Sequence, residues 1–324
     1  MPEPSLYLEA MGAAAVVSAI CVLAMAGGRR PASTTRLNSA CVVGIVLGLV
    51  AGYDALSFRW AWPTRHGLDR LLTIVVPMVL GMELIAGFQC VPRRAAWCLR
   101  LVLAAVTPTI LIYGSLYVSG TDRVWTLWQA IAALALCSAL LAGVWGLLAW
   151  LSARSPGVSI PLALVLTIQC AGLAVMLAGY IKGGAAAIPL AATLAATALC
   201  ARLKEKTTVV PTVLGIGVVG LFGLLFIGRF FGRLSTASAL AMLFAPLFCW
   251  ATEVSFLRRR KPWLVGSLRL VLVAIPLVAV LTFAKRNFNR DMAPLLGQRD
   301  TRLAQPTRVP GSVRVGRADI EGGR

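Results

Sequence analysis

Long apolar stretches, separated by short polar or basic turns, run along almost the whole chain. Each is about 20 residues long, enough for a helix to cross a hydrocarbon core of roughly 30 Å. Lipid cannot satisfy an unpaired backbone, and the stretches are too continuous for barrel strands, so they predict transmembrane helices. About ten spans are predicted, at 7–27, 37–55, 71–91, 95–118, 125–151, 160–181, 185–203, 209–227, 237–257 and 263–284.

This pattern predicts an all-α, polytopic membrane helical bundle over residues 1–286 and a disordered basic tail over 287–324. The tail is polar and rich in Arg, Pro and Gly, which is typical of disorder. Two similar segments, VVPMVLG at 75–81 and VVPTVLG at 209–215, open the third and eighth spans. Because five spans separate them, they would run in opposite directions, which predicts a five-plus-five inverted repeat.

The composition supports the membrane assignment, since 59% of the residues are hydrophobic, 13% are charged, and the mean hydropathy is +0.83. The net charge of +19 comes from basic residues at helix ends and in the tail, where they meet anionic lipid headgroups. No basic stripe alternates with aromatic residues, so no nucleic-acid partner is predicted. The eight cysteines lie in or beside apolar spans and form no CxxC pair, which indicates buried thiols rather than disulfides.

The charges around the first span predict the orientation of the chain. Arg29, Arg30 and Arg36 follow this span, whereas the acids Glu3 and Glu9 occur at its start. Because basic residues favour the cytoplasmic side, we expect a multi-pass protein of the cytoplasmic (inner) membrane with its N-terminus outside. The absence of a basic n-region also argues against a cleaved signal peptide.

Small residues at four-residue spacing mark one face of the second span, at Gly44, Gly48 and Gly52. Such a ladder lets another helix approach closely, so it predicts a helix-packing face. The partner is either another helix of this chain, a different protein or a second copy of the chain. Asp54 lies off this face, near the outer end of the span.

Four charged residues lie inside predicted spans, where each costs a few kcal/mol unless it is paired. Glu83 and Arg100 flank one cytoplasmic turn at similar depth, and Glu253 and Arg269 flank another. The sequence therefore predicts two intramembrane ion pairs. Each pair either only neutralises its charges and holds two helices together, or lines a path for a solute.

The loop before the third span holds the only histidine, His66, together with Asp54, Arg59, Asp69 and Arg70. Asp54, His66 and Asp69 are the candidate catalytic residues, because acids and an imidazole can transfer protons. The alternative is a solvated loop in which Asp69 caps a helix. We expect His66 to contact Asp69, three residues later. These residues match no metal-ligand pattern, and the chain contains no nucleotide or cofactor motif.

Three functions follow from these features. Permease-like transport of a small solute or a lipid is the first, and a cavity that reaches Glu83 would favour it. The second is a membrane-embedded enzyme that acts on a lipid or envelope substrate at the outer face, favoured by an outer pocket in which His66 meets a carboxylate. A non-catalytic subunit that packs against partner helices is the third. The sequence favours transport over catalysis.

Overall fold

The computed structural model describes residues 4–27, 34–58, 64, 66–88, 90–115, 117, 125–155, 157–204, 211–253 and 262–303. All regular structure in these residues is helical, which confirms the all-α prediction. The α-helices are α1 (Pro4–Ala26), α2 (Thr34–Ala55), α3 (Gly67–Arg70), α4 (Val76–Ala86), α5 (Arg93–Ile112), α6 (Leu127–Arg154), α7 (Ser159–Leu177), α8 (Ile181–Ala185), α9 (Ala187–Lys204), α10 (Pro211–Phe230), α11 (Thr236–Phe244) and α12 (Pro262–Leu303).

Two segments depart from α-helical geometry. A π-helical turn, Leu71–Val75, joins α3 to α4, so residues 67–86 form one continuous helical segment. A 3₁₀ helix, Ala245–Glu253, continues α11 for 9 residues. Runs of 3₁₀ helix longer than about four residues are uncommon, and both kinds of irregularity often mark functional sites or hinges.

Nine helical segments of the described chain are long and apolar enough to cross a membrane. The segment 67–86, interrupted by its π turn, corresponds to the third predicted span. The chain is therefore a multi-pass membrane protein. The third span runs from Gly67 to Ala86 rather than over 71–91, and the sixth ends at Leu177. It ends there because Gly179 adopts φ 88°, a conformation that breaks a helix and that glycine adopts readily.

The chain divides into two compact units, Met1–Ala284 and Lys285–Arg324. Within the second unit the described residues are helical to Leu303, as the end of α12. Residues 304–324 lie outside the described residues, and the disordered tail over 287–324 stays a prediction.

Helix α10 forms the centre of the first unit and is buried along almost its entire length. It packs against α4, α6, α7 and α9. Its glycines make this possible: a Cβ atom at Gly217 would lie 2.4 Å from Leu164 Cδ2, and one at Gly223 would lie 2.4 Å from Leu71 Cδ1. The neighbouring side chains thus fill the space that a larger residue on α10 would occupy.

The glycine ladder of α2 faces other helices of the same chain. A Cβ atom at Gly44 would lie 2.6 Å from a methyl group of Val22 on α1, and one at Gly48 would lie 2.8 Å from the carbonyl oxygen of Ala14. One at Gly52 would lie 2.6 Å from Pro189 on α9. Helices α1, α2 and α9 therefore pack closely together, and the three glycines are already covered inside the chain.

Helix α12 meets the bundle along a single stripe. Among residues 263–290 of this helix, the buried side chains are Arg269, Val273 and Leu277, at intervals of four that place them on one face. Val271, Ile275 and Val278 on the other faces are exposed. Arg269 is thus the polar member of the contact that docks α12.

The two similar segments of the proposed repeat belong to helices that pack against each other, α4 and α10. Residues 209–210 lie outside the described residues. The inverted repeat stays a prediction.

Candidate functional site

Glu83 on α4 and Arg100 on α5 form a two-pronged ion pair. Arg100 Nε donates to Glu83 Oε1 at 2.9 Å, and Arg100 Nη2 donates to Glu83 Oε2 at 2.8 Å. Glu83 is 1% exposed and Arg100 12%. The short turn between the helices brings the two residues to the same depth, where each charge compensates the other.

Side chains from three further helices surround this pair. Asn38 Nδ2 on α2 donates to the backbone carbonyl of Glu83 at 3.0 Å, and the Thr212 hydroxyl on α10 donates to Asn38 Oδ1. The Arg100 guanidinium lies 5.3 Å from the ring centre of Trp97 and 5.9 Å from that of Trp145. Five helices thus meet around Glu83, in a packed arrangement that holds them together.

Arg269 on α12 has a different setting, because its partners are mostly hydroxyl groups. Its Nη2 atom donates to Glu253 Oε1 at 2.7 Å and to Ser155 Oγ at 2.6 Å. Its Nη1 atom donates to Ser159 Oγ at 2.9 Å, and its Nε atom donates to Thr252 Oγ1 at 2.7 Å. The arginine side chain is 5% exposed and that of Glu253 is 22% exposed, so the carboxylate is the outer partner of the pair.

This second pair lines a pocket of about 730 Å³. The ends of α6, α9 and the 3₁₀ helix and the beginnings of α7 and α12 surround it, so the pocket lies at one end of the bundle. Three arginines and one glutamate among its lining residues leave a formal charge of +2, from Arg154, Arg202, Arg269 and Glu253. Neither Glu83 nor Arg100 lines this pocket.

One wall of the pocket is held by stacked side chains. Arg154 lies over the ring of Trp150 at 3.7 Å, and Trp150 stacks on Trp250 of the 3₁₀ helix with ring centres 4.5 Å apart. The indole N–H of Trp250 is buried and has no hydrogen-bond partner among the described residues. A buried donor without a partner costs about 1–3 kcal/mol. The 3₁₀ helix therefore holds one of its side chains in an unfavourable position in this conformation.

The loop residues at the opposite end do not come together as a catalytic group. The backbone N–H of His66 donates to Asp69 Oδ2 at 3.3 Å, so this expected contact caps the start of α3 and does not join the imidazole to the carboxylate. Within the described chain, no ion pair joins His66 to a carboxylate, and the exposed Asp54 side chain has no hydrogen bond. Arg70 is buried and donates to the carbonyl oxygen of Tyr113. Arg59 lies outside the described residues.

The hydroxyl groups and two of the arginines around Arg269 were not candidate site residues in the sequence. Ser155 and Ser159 belong to a turn, SARSPGVS, of ordinary composition, and Arg154 and Arg202 read as basic helix ends. The sequence did contain one indication of a polar site: Ser155, Ser159 and Arg154 lie close together at the end of a single predicted span. Among the described residues, no group of three His, Cys, Asp or Glu side chains could hold a metal ion.

Comparison with known proteins leaves the pocket itself as the basis for a functional argument. No protein-family model matches the chain, and neither the curated proteins nor the solved structures include one that matches it.

Proposed function

We propose that this chain is a permease-like membrane protein that moves a small solute or a lipid, and that the pocket around Arg269 is the entrance to its path. The observation that carries the proposal is the pocket of about 730 Å³, lined in part by charged and hydroxyl side chains, that reaches a buried arginine inside a predicted span. Ionisable residues inside membrane spans are costly, and those that face a cavity typically mark a substrate pathway.

A conformational change in the 3₁₀ helix would open or close this path. Refolding of Ala245–Glu253 as α-helix would shorten it by about 4 to 5 Å and turn its end by about half a turn, because the two helices differ in rise and in residues per turn. Glu253 and Thr252 lie at that end and both contact Arg269. The refolding would therefore separate them from Arg269 and change the shape of the pocket.

The predicted orientation places the pocket on the cytoplasmic side. With the N-terminus outside, the end of α6 and the beginning of α7 face the cytoplasm, as do Arg154 and Arg202. The Glu83–Arg100 pair then serves as a fixed point of the bundle, since five helices pack around it.

The other two functions have less support. An outer-face enzyme would need Asp54, His66 and Asp69 in mutual contact, and the only contact among them uses a backbone N–H. A partner-binding subunit was suggested by the glycine ladder of α2, but α1 and α9 already cover Gly44 and Gly52.

A flux assay tests the proposal. The purified protein is reconstituted in liposomes, and entry of inorganic anions, inorganic cations and neutral sugars is measured together with transbilayer movement of fluorescent lipids. We expect at least one class to move faster than in protein-free vesicles, and Glu253→Gln to change its rate. Arg94→Gln is the matched control, because it removes an exposed charge that does not line the pocket.

A labelling assay tests the same proposal without knowledge of the substrate. In a background without the native cysteines, Leu162→Cys places a thiol in the pocket wall and Leu164→Cys places one in the core of the same helix. A membrane-impermeant maleimide should label only the first, and Glu253→Gln should change that labelling rate severalfold. If no solute or lipid moves and the labelling rate is the same with and without Glu253→Gln, the permease proposal is wrong.

A further inference from the structure

The chemistry of the pocket selects for one class of ligand. Its lining has three arginines against one carboxylate, and the charge of Arg269 lies on a side chain that is only 5% exposed. A cleft with low-dielectric walls and one sign of charge concentrates ions of the opposite sign. The pocket therefore favours an anion over a neutral or cationic ligand.

The hydroxyl groups identify the anion more closely. The oxygens of Ser155 and Ser159 accept hydrogen bonds from Arg269, and neither hydroxyl donates to an acceptor among the described residues. A serine hydroxyl has one proton to donate, so both protons are available to a ligand. The Thr252 hydroxyl donates to the Cys249 carbonyl and is already used. Two hydroxyl donors beside a guanidinium fit a ligand that has several acceptor oxygens.

Glu253 occupies the position that such a ligand would take. Its carboxylate oxygen lies 2.7 Å from Arg269 Nη2 and is the more exposed half of the pair. An oxyanion of the phosphate type offers the same oxygen geometry to a guanidinium, with additional oxygens for the hydroxyl groups. If the ligand replaced Glu253, the positive charge of Arg269 would still be compensated, and the end of the 3₁₀ helix would be released from Arg269.

On these grounds we infer that the pocket binds a phosphate-type oxyanion, which displaces the Glu253 carboxylate from Arg269. The inference rests on the proposed function, because it names the substrate class of the same pocket. Free phosphate and the phosphate headgroup of a lipid share this chemistry. Trp263 at the pocket edge is 66% exposed, and exposed tryptophans of membrane proteins typically lie at the level of the lipid headgroups. The test therefore includes a phospholipid as well as the free anion.

The test is equilibrium binding of radiolabelled inorganic phosphate to the protein in micelles of dodecyl maltoside, a detergent that contains no phosphate group. We expect saturable binding that Glu253→Gln tightens by about tenfold, because a charge-assisted competitor for Arg269 is lost. The double variant Ser155→Ala with Ser159→Ala should weaken binding, while Arg94→Gln should leave it unchanged. Thermal unfolding of each variant shows that it is folded, and a fall in binding without a fall in stability identifies a ligand contact.

Phosphatidylglycerol added to these micelles separates the two sources. If the lipid competes with radiolabelled phosphate, the headgroup is a ligand; if phosphate binding is unaffected by the lipid, the free anion is the ligand. The inference is overturned if folded wild-type protein and Glu253→Gln both fail to bind phosphate and phosphatidylglycerol, or if Glu253→Gln binds no more tightly than wild type. Flux of a neutral or cationic solute would then leave the permease proposal standing, whereas phosphate binding with no flux and no effect of Glu253→Gln on labelling would refute the permease and keep the anion site.

Discussion

Gly215 on α10 lies directly against the carboxylate of Glu83: a Cβ atom at Gly215 would be 2.5 Å from Glu83 Oε1 and 3.0 Å from Trp145 Cζ2. The glycine thus creates the space in which the Glu83–Arg100 pair is enclosed. The carboxylate has little freedom to move away, because both of its oxygens accept hydrogen bonds from Arg100.

We expect Gly215→Ala to destabilise the protein by about 1–3 kcal/mol, the usual cost of overpacking a core. Gly81→Ala on α4 is the matched control, because a Cβ atom there would meet nothing within 4 Å. That change should be neutral or stabilise by up to about 1 kcal/mol, since it reduces the freedom of the unfolded chain. Thermal unfolding in one detergent measures both. Equal effects of the two substitutions would contradict the close contact at Gly215.

The ion pair itself gives a second prediction. Glu83→Gln should destabilise the protein by about 3–5 kcal/mol, because it leaves the guanidinium of Arg100 enclosed without an opposite charge. The double variant Glu83→Gln with Arg100→Leu should recover much of this loss, since an uncharged side chain needs no partner. The unfolding midpoints of the single and double variants provide the measurement. A double variant less stable than Glu83→Gln alone would show that Arg100 contributes independently of the carboxylate.

The Glu83–Arg100 pairing shows what a sequence of this kind can reveal. Two charges at similar depth on either side of a short turn have few other partners within reach, so matched depth is enough to bring them together. Asn38 and Gly215 belong to helices far away in the chain, and nothing in the hydrophobic pattern states which helices are neighbours. The 3₁₀ and π segments could not be predicted for a related reason. Their residues are as apolar as the rest of their spans, and it is tertiary packing that determines which backbone groups form hydrogen bonds there.

The pocket was harder to predict than the buried pairs. Glu253 and Arg269 were visible as intramembrane charges, but Ser155 and Ser159 resemble any short turn until α12 is docked beside them. In the outer loop, the only histidine and two acids suggest chemistry, and in the structure His66 and Asp69 meet through the capping of α3, so a catalytic role for them stays a prediction.

Orientation in the membrane provides a third prediction. With the N-terminus outside, Asp54 lies at the outer end of α2 and Cys90 in the cytoplasmic turn between α4 and α5, and both are exposed. In right-side-out vesicles, an impermeant maleimide should therefore label Asp54→Cys in a background without native cysteines, and should not label a variant that retains only Cys90. Opening the vesicles with detergent should make both reactive. Labelling of Cys90 alone would show that the orientation is the opposite of the predicted one. Labelling of both in intact vesicles would contradict the single span predicted between them.

Asp69 and His66 should differ in their contributions to stability. Asp69→Ala removes the acceptor of the His66 backbone N–H and a negative charge in the first turn of α3, so we expect a loss of about 0.5–2 kcal/mol. His66→Ala keeps the backbone donor and removes an exposed imidazole, so its effect on stability should be within about 0.5 kcal/mol. Thermal unfolding compares the two. Solute flux that survives His66→Ala would further separate the function from this loop, whereas its loss in a stable protein would place His66 in the transport path.

Tyr180, in the turn between α7 and α8, provides a prediction about pH. Burial raises the pKa of its phenol, and the negative charge of Asp69 raises it further. Because the neutral form is favoured in the folded protein, the associated stabilisation is complete below the unfolded-state pKa of about 10 and is lost as the pH rises through the raised value. The ultraviolet titration of wild type minus that of Tyr180→Phe isolates this phenol. Asp69→Asn should move its ionisation to lower pH without returning it to the ordinary value, since burial is the larger cause. Coincident curves for wild type and Asp69→Asn would show that the carboxylate does not act on Tyr180.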